Sequence, residues 1–262
     1  VRDFEKVKKL SEGIDIIIHA AAFKHVILSE YNPFDVIQTN IIGVENIIRA
    51  ANHCGVKYVL FTSSDKAVNP TNVMGTSKLM GEKLITAANA LRNKGNNSTI
   101  FRSTRFGNGI GSRGSVVPIF MKQIKKGGPV TVTDMRMTRF IMTIEDAAYL
   151  VLKSLTLAKG GEVFVTKMPV VRIPDLAKVM IDILAPKYGY DPSDIEIIEI
   201  GAKPGEKLYE EAIYATIEYK YPDTVSEYVE KTYISANESP MSKEELKKYL
   251  TDNKILDKII EK

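Results

Sequence analysis

The sequence predicts an α/β protein built on a doubly wound parallel sheet, and three observations carry that expectation. Short, nearly unbroken apolar runs recur, as strands covered on both faces require. Stretches with apolar residues three to four apart lie between them. Run and stretch alternate at the spacing of βαβ units.

The first run covers residues 14–20, the second 57–63 and the third, less apolar, 99–106. Val36, Ile37, Asn40, Ile41, Val44, Ile47 and Ile48 set a helix between the first two. Leu79, Leu84, Ile85, Ala88 and Leu91 set another before the third. Residues 107–114 then hold four glycines, a loop pattern. Residues 129–133 alternate like a short strand. Thr143 can cap a helix, with Asp146 at its third position and Ala147, Ala148, Leu150, Val151 and Leu152 behind. A strand at 162–166, a helix after Pro174 and a strand at 195–200 follow. Ser242 with Glu245 forms a capping-box pattern that opens a C-terminal helix.

Composition narrows the classes. At 262 residues, 44% hydrophobic and 26% charged, the chain can bury a core without disulfides or metals. Disorder, collagen and coiled coil are excluded as whole-chain readings. Lys and Arg number 36 against 32 Asp and Glu, and the +4 excess is spread along the chain, so nucleic acid is not implied. Cys54 is the one cysteine, which excludes a disulfide framework and a Cys-based zinc site and fits a reducing, cytoplasmic setting. Three scattered histidines add no metal-ligand spacing, so no metal is expected. No apolar run nears the ~20 residues that span a bilayer, and no signal peptide is visible.

Ser63-Ser64-Asp65-Lys66 stands where the second run ends. In open α/β sheets, ligands bind beyond the carboxyl ends of strands. A carboxyl group such as Asp65 can protonate a leaving hydroxyl. A lysine whose pKa is lowered by burial or a nearby cation can take a carbon-bound proton. The competing reading is an unreactive turn in which Asp65 only pairs a lysine.

His19-Ala-Ala-Ala-Phe-Lys-His25, Thr39-Asn40, Asp65-Lys-Ala-Val-Asn-Pro70, Lys78, Arg105-Phe-Gly-Asn108 and Gly111-Ser-Arg-Gly-Ser-Val-Val-Pro118 resemble the extended short-chain dehydrogenase/reductase superfamily. Within it they are similar to the polysaccharide-biosynthesis branch of UDP-N-acetylglucosamine 4,6-dehydratases, as are Met137-Thr-Arg-Phe140 and Lys203-Pro-Gly-Glu-Lys207. The resemblance runs from residue 1 to 211.

It implies a Rossmann-like core, NADP or NAD as cofactor, a UDP-sugar substrate and a homo-oligomer. Residues 1–128 would hold a partial NAD(P)-binding core, interleaved with a substrate region and C-terminal helices over 129–262. The implied reaction oxidises the sugar at C4, eliminates water across C5 and C6, and returns the hydride to C6. Asp65 would be the acid for the C6 hydroxyl, Lys66 the base at C5, and Ser64 the partner of the C4 oxygen. Lys78 would hold the nicotinamide ribose. The product would be a UDP-4-keto-6-deoxy-HexNAc for surface polysaccharide or glycan biosynthesis.

One catalytic position departs from the superfamily. Tyr-x-x-x-Lys is expected, and Met74-Gly-Thr-Ser-Lys78 is found. A thioether cannot accept the C4 proton. Three readings are open. The chain is inactive; another group (Lys78, Asp65 or an ordered water) takes the proton; or the chain resembles a subgroup that carries Met here and remains a dehydratase.

The resemblance also assigns binding residues. Ala20, Ala21 and Ala22 are small enough to let a cofactor approach the backbone. Asn40, Ser63, Arg105 and Phe106 complete the cofactor set, and Lys24 lies between cofactor and substrate. Asn108 could bond a sugar or phosphate oxygen. Arg113 and the amides of Gly114, Ser115 and Val116, which open a helix, could receive the diphosphate. Thr131 would run along the uracil, and Arg139 is a bidentate phosphate candidate. Lys203 and Glu206 lie in a turn whose carboxylate can accept the ribose hydroxyls. His25 is given no chemistry.

The superfamily's Gly-x-x-Gly-x-x-Gly phosphate grip after the first strand is absent from this sequence. His-Ala-Ala-Ala belongs in the family to the fourth strand, so about 70 residues of the usual core are expected to lie outside the chain. The chain alone is therefore expected to bind cofactor weakly. A UDP-sugar 4-epimerase and a non-catalytic sugar-nucleotide-binding protein are the alternatives to a dehydratase.

Overall fold

A computed structural model describes residues 1–91, 98–112, 114–157, 159–214, 218–220, 224–225 and 231–260. Helix α1 (Phe4–Leu10) precedes strand β1 (Ile16–His19). Helices α2 (Val26–Tyr31), α3 (Pro33–Val36) and α4 (Gly43–Cys54) lead to β2 (Tyr58–Ser64). Helix α5 (Val73–Ala90) leads to β3 (Ile100–Phe106). Next come β4 (Asn108–Gly109), α6 (Val116–Ile124), β5 (Val130–Val132), β6 (Thr138–Met142) and α7 (Ile144–Leu157). The chain continues through β7 (Val163–Thr166), β8 (Val170–Arg172), α8 (Ile173–Leu184) and β9 (Ile197–Glu199). Short strands β10 (Glu211–Tyr214), β11 (Glu218–Lys220), β12 (Thr224–Val225) and β13 (Lys231–Ile234) precede α9 (Lys243–Asp252) and α10 (Asp257–Ile260).

The main sheet has the order β1-β2-β3-β7-β11-β12, and β1 through β7 pair in parallel with β11 joining parallel to β7. The predicted parallel α/β sheet is therefore present. The apolar runs at residues 14–20, 57–63 and 99–106 supply β1, β2 and β3. On one face Val59, Phe61 and Phe101 meet Val7 of α1, Val44 and Ile47 of α4 and Ile85 of α5 in a closed core. On the other face α7 covers β3, where the buried Arg102 guanidinium donates to the Ser154 and Leu155 carbonyls near the helix C-terminus. Ile16 and Ile18 on β1 remain 45% and 47% exposed on that second face.

The helix read from Val36 to Ile48 starts earlier and is not uniform. Pro33 opens α3, and a π-helical segment at Ile37–Ile42 separates α3 from α4. Asn40 sits in that segment, buried, and its amide binds both the N–H and the C=O of Phe23. Helices α1 and α2 lie outside the sequence reading, because each is too short to establish a period.

A second core forms from α6, β5, α8 and α9, with Phe120, Val130, Val132, Leu176, Met180 and Leu246 at its centre. Strands β5 and β9 pair in parallel within it. Helix α6 lies in this second cluster, although it precedes residue 128. Thr143 and Asp146 exchange the expected capping bonds at the start of α7, and Ser242 and Glu245 form the capping box of α9.

Candidate active site

The chemistry collects where β2 ends. Ser64 leaves the strand extended, and its Oγ accepts from the Lys66 N–H while donating to Asp65 Oδ1 at 2.8 Å. That bond tightens residues 65–67 into a single 3-10 turn. Asn72 then caps α5 by accepting from the Gly75 N–H at 2.7 Å. Gly75 is required by proximity, since a Cβ there would collide with the Lys66 carbonyl oxygen. The first turn of α5 thus lies directly on the Asp65–Lys66 turn. Met74 is buried in that same helical turn.

Asp65 is 1% exposed. The Lys66 ammonium lies 3.1 Å from Asp65 Oδ1, 3.1 Å from Glu210 Oε1 and 3.2 Å from Asn108 Oδ1. Its three protons thus have three acceptors. Burial alone would lower the Lys66 ammonium, but the Asp65 and Glu210 carboxylates outweigh it and hold the group above the ordinary lysine range. Asp65 is the larger of these two influences, and Glu210 adds a second carboxylate that the sequence neighbours do not reveal. Glu210 itself is pushed up, by burial first and then by the Asp65 charge, against the opposing pull of Lys66 and Arg139. Glu210 escaped the sequence reading because it stands beyond the Lys-Pro-Gly-Glu-Lys motif, next to β10, in no recognisable pattern.

Lys66, Asn108 and Glu210 line a cavity of about 610 Å³. Lys24, Gly114, Ser115, Val116, Thr131, Arg139, Lys203 and Glu206 line it too. Arg113 lies outside the described residues. Gly114 has a left-handed φ of 74°, and a Cβ there would meet the His25 ring, which gives His25 a packing role. Ser115 stands at the N-cap of α6 with its Oγ buried and unpartnered among the described residues.

Two of the assigned side chains also have partners within the protein. Arg139 is not a free phosphate fork: its guanidinium donates to the Thr138, Leu208 and Lys207 carbonyls and lies 3.7 Å from Glu210. Two of these bonds, to Lys207 and Leu208, tie the 207–210 segment to β6. Asn108 donates to the Phe140 carbonyl and accepts from Lys66, so it belongs to the acid–base cluster. Asn72, missed in the sequence, joins the cavity's far wall to α5 by donating to the Gly205 carbonyl at 2.8 Å.

Of the assigned cofactor residues, Ala20 to Ala22 follow β1, Ser63 lies at the end of β2, and Arg105 and Phe106 lie at the end of β3. Ala20 and Ala21 are exposed and small. Lys78 donates to the Thr62 carbonyl at 2.7 Å and lies over the Phe61 ring. Burial pulls its pKa down to about 8, against the Glu82 carboxylate. Ser63 Oγ and His19 Nε2 are buried without partners among the described residues. These open polar groups fit the nicotinamide end of a dinucleotide. Arg105 forms a two-pronged pair with Glu82. Phe106 packs beside Phe140, Met142 and Val165.

A family profile described as "Polysaccharide biosynthesis protein" matches residues 1–232. The chain belongs to this polysaccharide biosynthesis protein family. Relatives within reach of that family span several descriptions. An "Uncharacterized membrane protein" of Methanocaldococcus jannaschii is 56% identical over 81% of this chain and 63% of its own length. A "UDP-N-acetylglucosamine 4,6-dehydratase (inverting)" of Campylobacter jejuni is 44% identical over 80% of this chain and 59% of its own. A "UDP-glucose 4-epimerase" of Rickettsia canadensis is 41% identical over 81% and 60%. The chain thus spans less than two thirds of the length of these curated relatives. The solved structure of Pen from Bacillus thuringiensis superposes with a TM-score of 0.89 at 43% identity, covering 97% of this chain and 80% of that one. No helix among the described residues is long and apolar enough to cross a membrane.

Proposed function

We propose that this polysaccharide biosynthesis protein is a nucleotide-sugar 4,6-dehydratase. It acts on UDP-N-acetylglucosamine and yields a UDP-4-keto-6-deoxy-HexNAc for surface polysaccharide or glycan synthesis. The observation that carries the reading is the Asp65–Lys66 pair at the wall of a cavity lined by the assigned substrate residues. When bound, NAD or NADP would supply the hydride acceptor and donor. Lys66 takes the C5 proton once C4 is a ketone, and Asp65 gives a proton to the departing C6 hydroxyl. The amides of Gly114 and Val116 at the start of α6 suit the diphosphate, whereas the Ser115 N–H is already donated to the Ser112 carbonyl. Glu206 suits the ribose hydroxyls, and Thr131, held by Gln123, suits the uracil. The single cysteine, Cys54, agrees with a reducing, cytoplasmic setting.

Relatives described as UDP-glucose 4-epimerases support a second reading. Elimination requires an acid and a base at C6 and C5, whereas epimerisation requires neither. Incubation with UDP-N-acetylglucosamine and saturating NAD or NADP, read by mass spectrometry, separates the two by one water. Asp65→Asn should abolish water loss while UDP binding persists. A product of unchanged mass would remove the dehydratase reading.

A further inference from the structure

Lys66 has a second carboxylate neighbour that the Asp65–Lys66 motif does not announce. Glu210 Oε1 lies 3.1 Å from the Lys66 ammonium, as near as Asp65 Oδ1. Glu210 is 1% exposed, lines the cavity, and keeps Oε2 buried without a partner among the described residues. Its backbone is pinned on both sides, because its N–H donates to Ser235 Oγ and its carbonyl accepts from the Ser235 N–H. Such a carboxylate is costly to bury without cations beside it, and the nearer of its two is Lys66, ahead of Arg139 at 3.7 Å. We propose that Glu210 is a positioning residue for the Asp65–Lys66 pair: it fixes the Lys66 ammonium at the cavity wall and keeps on the pair the one proton that acid and base share.

This inference rests on the dehydratase reading for its kinetic consequence. Transfer of a proton from the Lys66 ammonium to the Asp65 carboxylate breaks an N–H bond and forms an O–H bond. It leaves a lysine lone pair and a carboxylic acid side by side. The lone pair takes hydrogen from C5 as a proton, and the C5–H electrons become the C5–C6 double bond. The C6–O bond breaks as Asp65 returns its proton to that oxygen, so water leaves and the pair is again ammonium and carboxylate. Loss of the shared proton to solvent would leave no acid. The negative charge of Glu210 raises the pH at which that happens. Asp65 on the same turn acts in the same sense, and Arg139 on β6, 3.7 Å from Glu210, acts against it. Glu206 faces Arg139 at 3.9 Å, and the Lys207 ammonium is turned away onto the Val68 carbonyl.

The test compares the protein with Glu210→Gln and Glu210→Asp. Glu210→Gln should lower kcat with little change in KM. It should also move the basic limb of the kcat profile down by about one pH unit or more. Glu210→Asp keeps the charge and should hold the basic limb near its original place even where kcat falls. A Glu210→Gln profile with an unmoved basic limb overturns the proposal, since a merely structural loss lowers the rate without shifting the limb. Titration of Lys66 by NMR of 13Cε-labelled lysine reads the same effect without turnover. Its pKa should fall by about one unit or more in Glu210→Gln, and an unchanged value overturns the proposal. If the unsubstituted protein, saturated with NAD or NADP, loses no water from UDP-N-acetylglucosamine, the dehydratase reading fails, and the Lys66 titration still decides the role of Glu210.

Discussion

Arg105 and Glu82 join strand β3 to helix α5 through two parallel bonds, Nε to Oε1 at 2.8 Å and Nη2 to Oε2 at 2.7 Å. Both side chains are largely buried. A fork-to-fork pair of this kind fixes orientation as well as charge. Its removal from one side leaves the other charge buried without that counter-charge. Glu82→Gln is therefore expected to destabilise the fold by about 3 kcal/mol or more. Chemical unfolding measures this, and a loss under about 1 kcal/mol would show that the pair is solvated like an ordinary surface bridge.

Gly75 and Lys66 give a second prediction. A Cβ at position 75 collides with the Lys66 carbonyl, which is backbone and cannot swing aside. Gly75→Ala should cost about 1–3 kcal/mol of stability. It should also displace the Asp65–Lys66 turn, so the loss of activity should exceed what the lower stability explains. Activity at a temperature well below the melting transition separates the two effects.

His19 predicts a pH dependence of stability. Burial, aided by the Lys78 charge, depresses its pKa from 6.5 to about 4. Between those values the unfolded chain binds a proton that the folded chain refuses. The contribution is full above about 6.5 and is lost as pH falls toward 4, amounting to about 3 kcal/mol. His19→Gln should flatten the stability profile in that window relative to the unsubstituted chain. Parallel profiles would assign the acid sensitivity to other groups.

Cofactor affinity is the fourth prediction. The residues around Lys78, Ser63 and Ala20 suit a nicotinamide end, but the sequence holds no Gly-x-x-Gly-x-x-Gly grip for a pyrophosphate. Calorimetric titration of this chain with NAD and NADP should give dissociation constants well above micromolar. Micromolar binding of either would mean that the remaining groups suffice.

Period and residue type determined a good deal by themselves. Unbroken apolar runs set three parallel strands. Thr143 with Asp146 and Ser242 with Glu245 set two helix starts, because a cap is a local bond between residues three apart. The order of motifs placed Asp65 and Lys66 at a strand end and assigned Lys24, Thr131, Lys203 and Glu206 to one site, and they line one cavity. Only the tertiary structure decided what those groups touch. Arg105 turns to Glu82, Arg139 to three backbone carbonyls, and Lys66 to Glu210. The physical reason is that a buried charge takes whichever counter-charge or carbonyl the folded chain brings within about 3–4 Å. That neighbour comes from a distant strand or turn, which neither periodicity nor a local motif encodes.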